Sequence, residues 1–186
     1  MWLICGLGNP DKKYNLTRHN LGFDFIESLI RQNELDLYKK DKRKELYKIK
    51  IENNECLLCK PQTYMNLSGD PIKEVINFYK IQLTKVIIVH DDLDLDIGKI
   101  KIKTGGGNGG HNGIQNIDEC VGKNYKRIRI GIGRPSLKKD VSEFVLKKFS
   151  KEERSIIDKK IDCLVSNFGL IFKGDNYLLT KLALSK

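Results

Sequence analysis

Six glycines fall within the nine residues Gly105–Gly113, directly after the alternating run Lys99-Ile-Lys-Ile-Lys103. Glycine reaches backbone angles closed to other residues and leaves main-chain N–H groups uncovered. Ordering it costs chain entropy, so a cluster this dense belongs to a tight turn or to a place where a ligand approaches the backbone. A flexible linker would not account for the His111-Asn112 pair that the stretch carries, and a functional loop does. The loop also punctuates the fold. A strand ends before it, and a short helix marked by Ile114, Ile117 and Val121 follows, stopped at Gly122.

The rest of the chain alternates strand and helix signals. Trp2 to Leu7 reads as a short buried strand that must turn at Gly8-Asn9-Pro10-Asp11. A helix follows His19-Asn20, with Leu21, Phe25, Ile26, Leu29 and Ile30 on one apolar face. His19 thus stands where a strand-exit loop meets a helix start, and its polar neighbours Arg18, Asn15 and Asn20 do not look like core. Residues 39–50 carry seven Lys or Arg, read as a solvated face, and the part from Leu46 to Ile51 alternates like a strand. Asn53-Asn54 then turns the chain into Cys56-Leu-Leu-Cys59. Asp70-Pro71 predicts a helix start with Asp70 as N-cap, and Ile72, Val75, Ile76 and Tyr79 give that helix a buried stripe. Val86-Ile-Ile-Val89 is a continuous β-branched run of the kind found in a sheet covered on both faces. It leads into His90-Asp-Asp-Leu-Asp94, and charged groups at such a strand end commonly mark an active-site rim in α/β folds. Lys126 to Ile132 alternates again, and its Arg127 and Arg129 join Lys99, Lys101 and Lys103 in a basic strip suited to phosphates. Ser150-Lys-Glu-Glu153 is a capping box that starts a long helix carrying Ile156, Ile157, Ile161, Leu164, Val165 and Phe168. Asp175 can cap a last helix through Leu182. There is no internal repeat or linker, so one α/β domain over 1–186 accounts for the whole pattern.

Charge and composition narrow the function. The 34 Lys+Arg against 24 Asp+Glu leave a formal charge of +10, which favours a polyanionic partner such as nucleic acid. The five cysteines are odd in number and scattered, which fits a reducing cytosol rather than a disulfide framework. Cys56 and Cys59 have zinc or redox spacing, but no second ligand pair follows and their run is apolar, so packing explains them better. No apolar run approaches the length of a membrane span, and the chain opens straight into a strand without a basic leader. A cytoplasmic protein is the expectation. Gly6-Leu-Gly8 after a strand suggests a dinucleotide fingerprint, but Asp11 stands where the third glycine belongs and Pro10 interrupts the helix entry. Residues 105–110 lack the Gly-Lys-Ser/Thr ending of a phosphate-binding loop, which argues against an ATPase. The acids of His90–Asp94 lack matching histidines for a metal.

Taken together, several stretches resemble bacterial peptidyl-tRNA hydrolase. They are Gly6-Leu-Gly-Asn-Pro10 with Tyr14 and Thr17-Arg-His-Asn20; Thr63-Tyr-Met-Asn-Leu-Ser-Gly69; His90-Asp-Asp-Leu-Asp94; and Gly105 through Gly113. Arg129-Ile-Gly-Ile-Gly-Arg-Pro135 and Val141-Ser-Glu-Phe-Val-Leu146 match in the same order. The resemblance runs over nearly the whole chain. It implies a single three-layer α/β domain with a twisted mixed sheet between helices, monomeric, needing no metal or cofactor. It also implies an enzyme that cleaves the ester between a peptide and the terminal ribose of tRNA, and so recycles tRNA from prematurely released peptidyl-tRNA.

Chemistry and resemblance together give roles. Ester hydrolysis near neutral pH needs a group that takes a proton from water, and imidazole is the side chain whose pKa lies nearest. His19 matches the family's catalytic histidine and Asp91 the carboxylate that fixes its tautomer. Asn9, Asn66 and Asn112 match the family's substrate-site asparagines. Asn66 and Asn112 suit the peptide main chain and the reacting carbonyl, and Asn9 suits a place beside His19 and the terminal ribose. Tyr14, Met65 and His111 are expected to line the substrate site. Lys103 and Arg129 match the basic residues for the tRNA 5′-phosphate and acceptor stem, contacts that give affinity without reading bases. Two positions depart from the family pattern: Asn108 replaces a frequent histidine and Asp92 a frequent glutamate. A rival reading is an RNA-binding module without catalysis, as in plant organellar intron-splicing factors similar to this family. Retention of His19, Asp91 and all three asparagines favours the enzyme.

Overall fold

In the computed structural model, which describes residues 1–174 and 176–184, the Val86-Ile-Ile-Val89 run forms the start of β5 (Val86–Asp92), and its first six residues are buried. It lies beside β1 (Trp2–Gly6), which pairs in parallel with β5 on one side and β4 (Asn54–Pro61) on the other. The sheet extends outwards through β3 (Lys44–Ile51) and β2 (Leu37–Lys40) at one edge. At the other edge lie β7 (Lys126–Gly131), parallel to β5, and β6 (Ile100–Thr104), antiparallel to β7. The seven-stranded order is β2-β3-β4-β1-β5-β7-β6, a mixed sheet. The expected 46–51 strand is present within β3, but the hairpin turns at Glu52-Asn53, one residue before the expected Asn53-Asn54, because Asn54 already pairs with Ile51 as the first residue of β4. β2 adds an exposed edge strand.

Alternation along the central strands divides the core in two. Ile4, Ile87, Val89, Ile128 and Ile130 face one side, where they meet α1 (Leu21–Gln32), α4 (Val141–Leu146), α5 (Lys151–Ser166) and α6 (Asn176–Leu184). Leu3, Cys5, Val86 and Ile88 face the other, against α2 (Gly69–Tyr79) and α3 (Asn112–Val121). The three-layer α/β expectation is met. The Cys56 and Cys59 side chains fall in opposite core clusters, so the two thiols cannot close on one ion. Burial also pushes the Cys56 thiol up to about 11, away from thiolate chemistry.

Helix ends differ in detail from the sequence reading. Ser150 and Glu153 form the reciprocal capping box at α5, with the Ser150 N–H donating to Glu153 Oε2 at 2.8 Å. Asp70 does not cap α2. That helix begins at Gly69 with Ser68 as N-cap, and the Ser68 hydroxyl instead donates to the Met65 carbonyl at 2.8 Å. Ile156, expected in the core, is 45% exposed, because the buried side of α5 runs through Ile157, Ile161 and Leu164. The expected cap Asp175 lies outside the described residues, and α6 runs past Leu182 to Leu184.

The contact that positions the site is backbone against backbone. The Phe23 N–H donates to the Leu7 carbonyl (3.1 Å), and the Leu7 N–H donates to the Val89 carbonyl (3.0 Å). The start of α1 is thereby pressed onto the ends of β1 and β5. A Cβ at Gly22 would lie 2.2 Å from the Leu7 nitrogen, and one at Gly6 2.0 Å from the Gly22 oxygen. Gly6 is therefore a packing residue for this crossing, which explains the fragment of a dinucleotide fingerprint without a nucleotide. Gly22→Ala is expected to force the crossing apart and cost about 1–3 kcal/mol as an overpacked contact. Chemical denaturation would register this as a lower midpoint at unchanged slope, whereas an unmoved midpoint would contradict the close approach.

Candidate active site

The carboxyl ends of β1, β5 and β4 open on one edge of the sheet, where ligands bind in open α/β folds. β5 delivers Asp91 there, and the 3₁₀ turn Arg18–Asn20 delivers His19. Asp91 is 2% exposed, and His19 Nδ1 lies 2.9 and 3.1 Å from its two oxygens. His111, the N-cap of α3, places Nε2 at 3.1 Å from Asp91 Oδ1. The carboxylate therefore joins two imidazoles from separate elements.

Hydrogen bonding assigns the protons. The Ile114 N–H donates to His111 Nδ1 (3.3 Å), so that nitrogen is bare and Nε2–H is the donor to Asp91. Burial alone would raise the Asp91 pKa, but His19 and His111 outweigh it and hold the carboxyl far below its usual range. An ionised carboxylate only accepts, so His19 Nδ1 carries a hydrogen and Nε2 is left as the basic nitrogen. Burial opposes charge on the His19 ring, yet the charge and hydrogen bond of Asp91 prevail and its pKa is raised above 6.5. His90 behaves oppositely. Burial, and then His111 beside it, push its pKa well below 6.5, and its Nδ1 lies 2.6 Å from the Asp91 carbonyl.

The segment carrying His19 is fastened from behind. Arg18, which does not look like core in the sequence, is 6% exposed and packs against the Phe144 and Phe149 rings. Its guanidinium donates to the Lys148 carbonyl (2.8 Å) and to Glu153 Oε2 (2.7 Å), the oxygen that closes the α5 capping box. Asn20 is also buried. Its side chain accepts from the Asn9 N–H and donates to the Asn9 carbonyl, both at 2.9 Å. These two neighbours are the positioning residues that sequence reasoning missed. Their polarity hid their burial, although their place on either side of His19 was a usable signal.

The remaining candidates divide by location. A cleft of about 160 Å³ is lined by His19, Asp91, Asp92, Leu93, Asn108–Asn112, Val141, Ser142 and Val145. The α4 wall was not expected. Asn9 does not line the cleft; its Oδ1 accepts from the Met65 N–H at 2.9 Å, and its backbone is bonded to Asn20, the neighbour of His19. Met65 in turn packs against the first turn of α3, since a Cβ at Gly113 would be 2.5 Å from its sulfur and 3.2 Å from His111 Cε1. Asn66 is exposed on the same 3₁₀ turn, and Asn112 is exposed at the start of α3. Tyr14 is half-buried and tied to the His19 loop through its carbonyl, which accepts from the Thr17 hydroxyl at 2.7 Å.

Of the basic strip, Lys101, Lys103, Arg127 and Arg129 share the sheet face of α2 and α3, opposite the face of Ile128 and Ile130. Arg129 Nε bonds Asp92 Oδ2 at 2.6 Å, and Asp92 lines the cleft, so this cation stands one ion pair from the site. The Lys103 pKa is lowered by burial and then by Arg127 and Arg129, as expected where cations converge. Arg127 departs from the reading, because it is 1% exposed and lies beneath the glycine loop rather than on an open track. His19, Asp91 and His111 offer one ligand atom each within 4.8 Å, a spacing a metal ion could use. The same atoms are already joined in the hydrogen bonds described above. Among the described residues no helix is long and apolar enough to cross a membrane.

Comparison with known proteins agrees with this geometry. A family model for peptidyl-tRNA hydrolase matches residues 3–185. The peptidyl-tRNA hydrolase of Rickettsia bellii is 48% identical over 175 residues, covering 94% of this chain and 95% of that protein. That of Rickettsia prowazekii is 48% identical over 174 residues, covering 93% and 94%. The crystal structure of peptidyl-tRNA hydrolase from Acinetobacter baumannii superposes with a TM-score of 0.91 at 40% identity, covering 98% of this chain and 94% of that one. With sequence and fold agreeing almost end to end around a buried His–Asp–His cluster, the chain belongs to the peptidyl-tRNA hydrolase family.

Proposed function

We propose that this chain hydrolyses the ester joining a peptide to the terminal ribose of tRNA, freeing the tRNA for reuse, with His19 as general base. The observation that carries the reading is the bond from His19 Nδ1 to the ionised Asp91, which leaves Nε2 unprotonated in a ring that lines the cleft. A water held by Nε2 gives up a proton as its oxygen attacks the ester carbon. Asp91 steadies the imidazolium that forms, as the carboxylate of a hydrolytic triad does. The tetrahedral oxyanion is to be met by neutral donors, a role assigned to Asn112, which lines the cleft, and to Asn66, with the positive end of α3 adding to them. Collapse breaks the bond to the ribose oxygen, and His19 returns the proton to that leaving group. Peptide carboxylate and tRNA hydroxyl are the products, so no cofactor enters the balance.

A cleft of about 160 Å³ holds the reacting ester but not the whole substrate. The peptide main chain is assigned to the surface around Asn66, Met65 and Tyr14, and the terminal ribose to the neighbourhood of Asn9. His111 is assigned to holding Asp91 and the cleft wall. Lys103 and Arg129 take the 5′-phosphate and acceptor stem, a sequence-independent contact that suits many tRNAs. Asp92 tempers Arg129, which leaves Lys103 the stronger phosphate contact. A monomer acting in the cytoplasm fits this reading.

Release of peptide from an N-blocked aminoacyl-tRNA, in EDTA, is expected from the parent protein and lost in His19→Ala, with tRNA binding kept. Tight binding without cleavage by the parent would make the chain an RNA-binding module instead. The acid limb of kcat/KM should fall above pH 6.5, because the base must be neutral and Asp91 raises its pKa. Asp91→Asn removes that charge, so the limb should move to lower pH while the rate drops about 10³–10⁴-fold; a limb that stays in place would contradict the assignment. Lys103→Ala should raise KM for peptidyl-tRNA with much less effect on a minimal ester of adenosine, and equal losses on both would remove Lys103 from the tRNA contact.

A further inference from the structure

Arg127 is a fully buried cation that the hydrolytic reading leaves without a task. It stands in β7 opposite Lys103 of β6 and is 1% exposed. A buried guanidinium ordinarily requires a carboxylate partner, because desolvation of the charge is expensive. Among the described residues no carboxylate forms an ion pair with it. Carbonyls of the glycine loop stand in for one: Nη1 donates to the Gly107 carbonyl at 3.0 Å and Nη2 to the Gly105 carbonyl. The side chain lies directly under the loop, since a Cβ at Gly106 would come 3.3 Å from Nη2.

The loop needs such a support. Gly105, Gly106, Gly109 and Gly110 have φ of 65°, 87°, 62° and 79°, a region in which glycine is free and therefore has little preference of its own. Its other ties are few: the Gly105 N–H donates to the Tyr125 carbonyl at 3.2 Å, and Asn108 accepts from Gly110 and His111. Yet this loop delivers Asn108, His111 and Asn112 to the cleft. Two donors on one rigid plane, fixed in the sheet and bridging carbonyls two residues apart, set the loop's height and register in a way a single bond could not.

We propose that Arg127 is a positioning residue for the hydrolysis: through the Gly105 and Gly107 carbonyls it holds the glycine loop where His111 reaches Asp91 and Asn112 faces the ester, without touching the substrate. The catalytic consequence rests on the reading of the site given above, whereas the anchoring of the loop does not.

The test compares the parent with Arg127→Ala and Arg127→Lys on full peptidyl-tRNA and on an N-blocked aminoacyl ester of adenosine, with amide hydrogen exchange of residues 105–111 measured alongside. Loss of both bonds is expected to lower kcat on both substrates by about 10–100-fold, the range for a displaced catalytic group. Exchange in the loop should rise, and millimolar guanidinium ion should restore part of kcat to Arg127→Ala where sodium chloride does not. Should Arg127→Ala fail to fold, Arg127→Lys carries the comparison. It keeps the charge, but one ammonium cannot span both carbonyls, so kcat on the short ester should still fall. A folded variant with parental kcat on the short ester, or a defect confined to KM for tRNA, would overturn the proposal. Parental loop exchange would overturn it equally. A parent that cleaves neither substrate would refute the hydrolytic reading, and loop exchange alone would then decide whether Arg127 anchors the loop.

Discussion

The buried carboxylate of Asp91 is the interaction on which the rest of the site depends. A lone charge at 2% exposure would be costly, and a neutral carboxyl would be its natural state. The electrostatic attraction of His19 and His111, and then their N–H bonds, reverse that balance and keep the group ionised. The same bonds dictate which nitrogen of each ring carries hydrogen, so ionisation, tautomer and orientation are set together. His90 sharpens the arrangement, since its burial keeps it neutral and adds no competing positive charge beside His111.

Geometry reaches that carboxylate from three directions. From the sheet, the glycine contacts at Gly6 and Gly22 let α1 start against the ends of β1 and β5, which brings His19 over Asp91. From the far helix layer, the α5 capping box holds Glu153, Glu153 holds Arg18, and Arg18 precedes His19. From the opposite layer, α3 presents His111 as its N-cap, and Met65 packs on the adjacent turn under the control of Asn9. Local signals worth about 1 kcal/mol each in stability thus acquire a second use as rulers for the site.

Much of this was legible in the sequence because the relevant physics is local. Val86–Val89 had to be an interior strand, Ser150–Glu153 had to cap a helix, and a dense glycine run carrying His111-Asn112 had to be a structured loop. The family resemblance supplied His19 and Asp91, and the fold brings the two together. What stayed hidden were burial and pairing, which depend on distant segments. Arg18 and Asn20 look like surface residues until Phe144, Lys148 and Asn9 are in place around them. Arg127 and Arg129 have the same alternation and the same charge, yet one lies under a loop and the other is paired with Asp92. The Asp70-Pro71 signal misplaced a helix start because Ser68 and Gly69 were already committed to it by packing on α3, where the Gly69 N–H donates to Asn116 Oδ1 at 2.8 Å.

The most direct test of this account is the tautomer of His19 in the free protein. Nitrogen-15 NMR of the histidine rings, above the pKa of His19, should show Nδ1 protonated and Nε2 bare, with a downfield Nδ1 proton that disappears in Asp91→Asn. A His19 ring protonated on Nε2 would leave no base facing the cleft and would contradict the central claim.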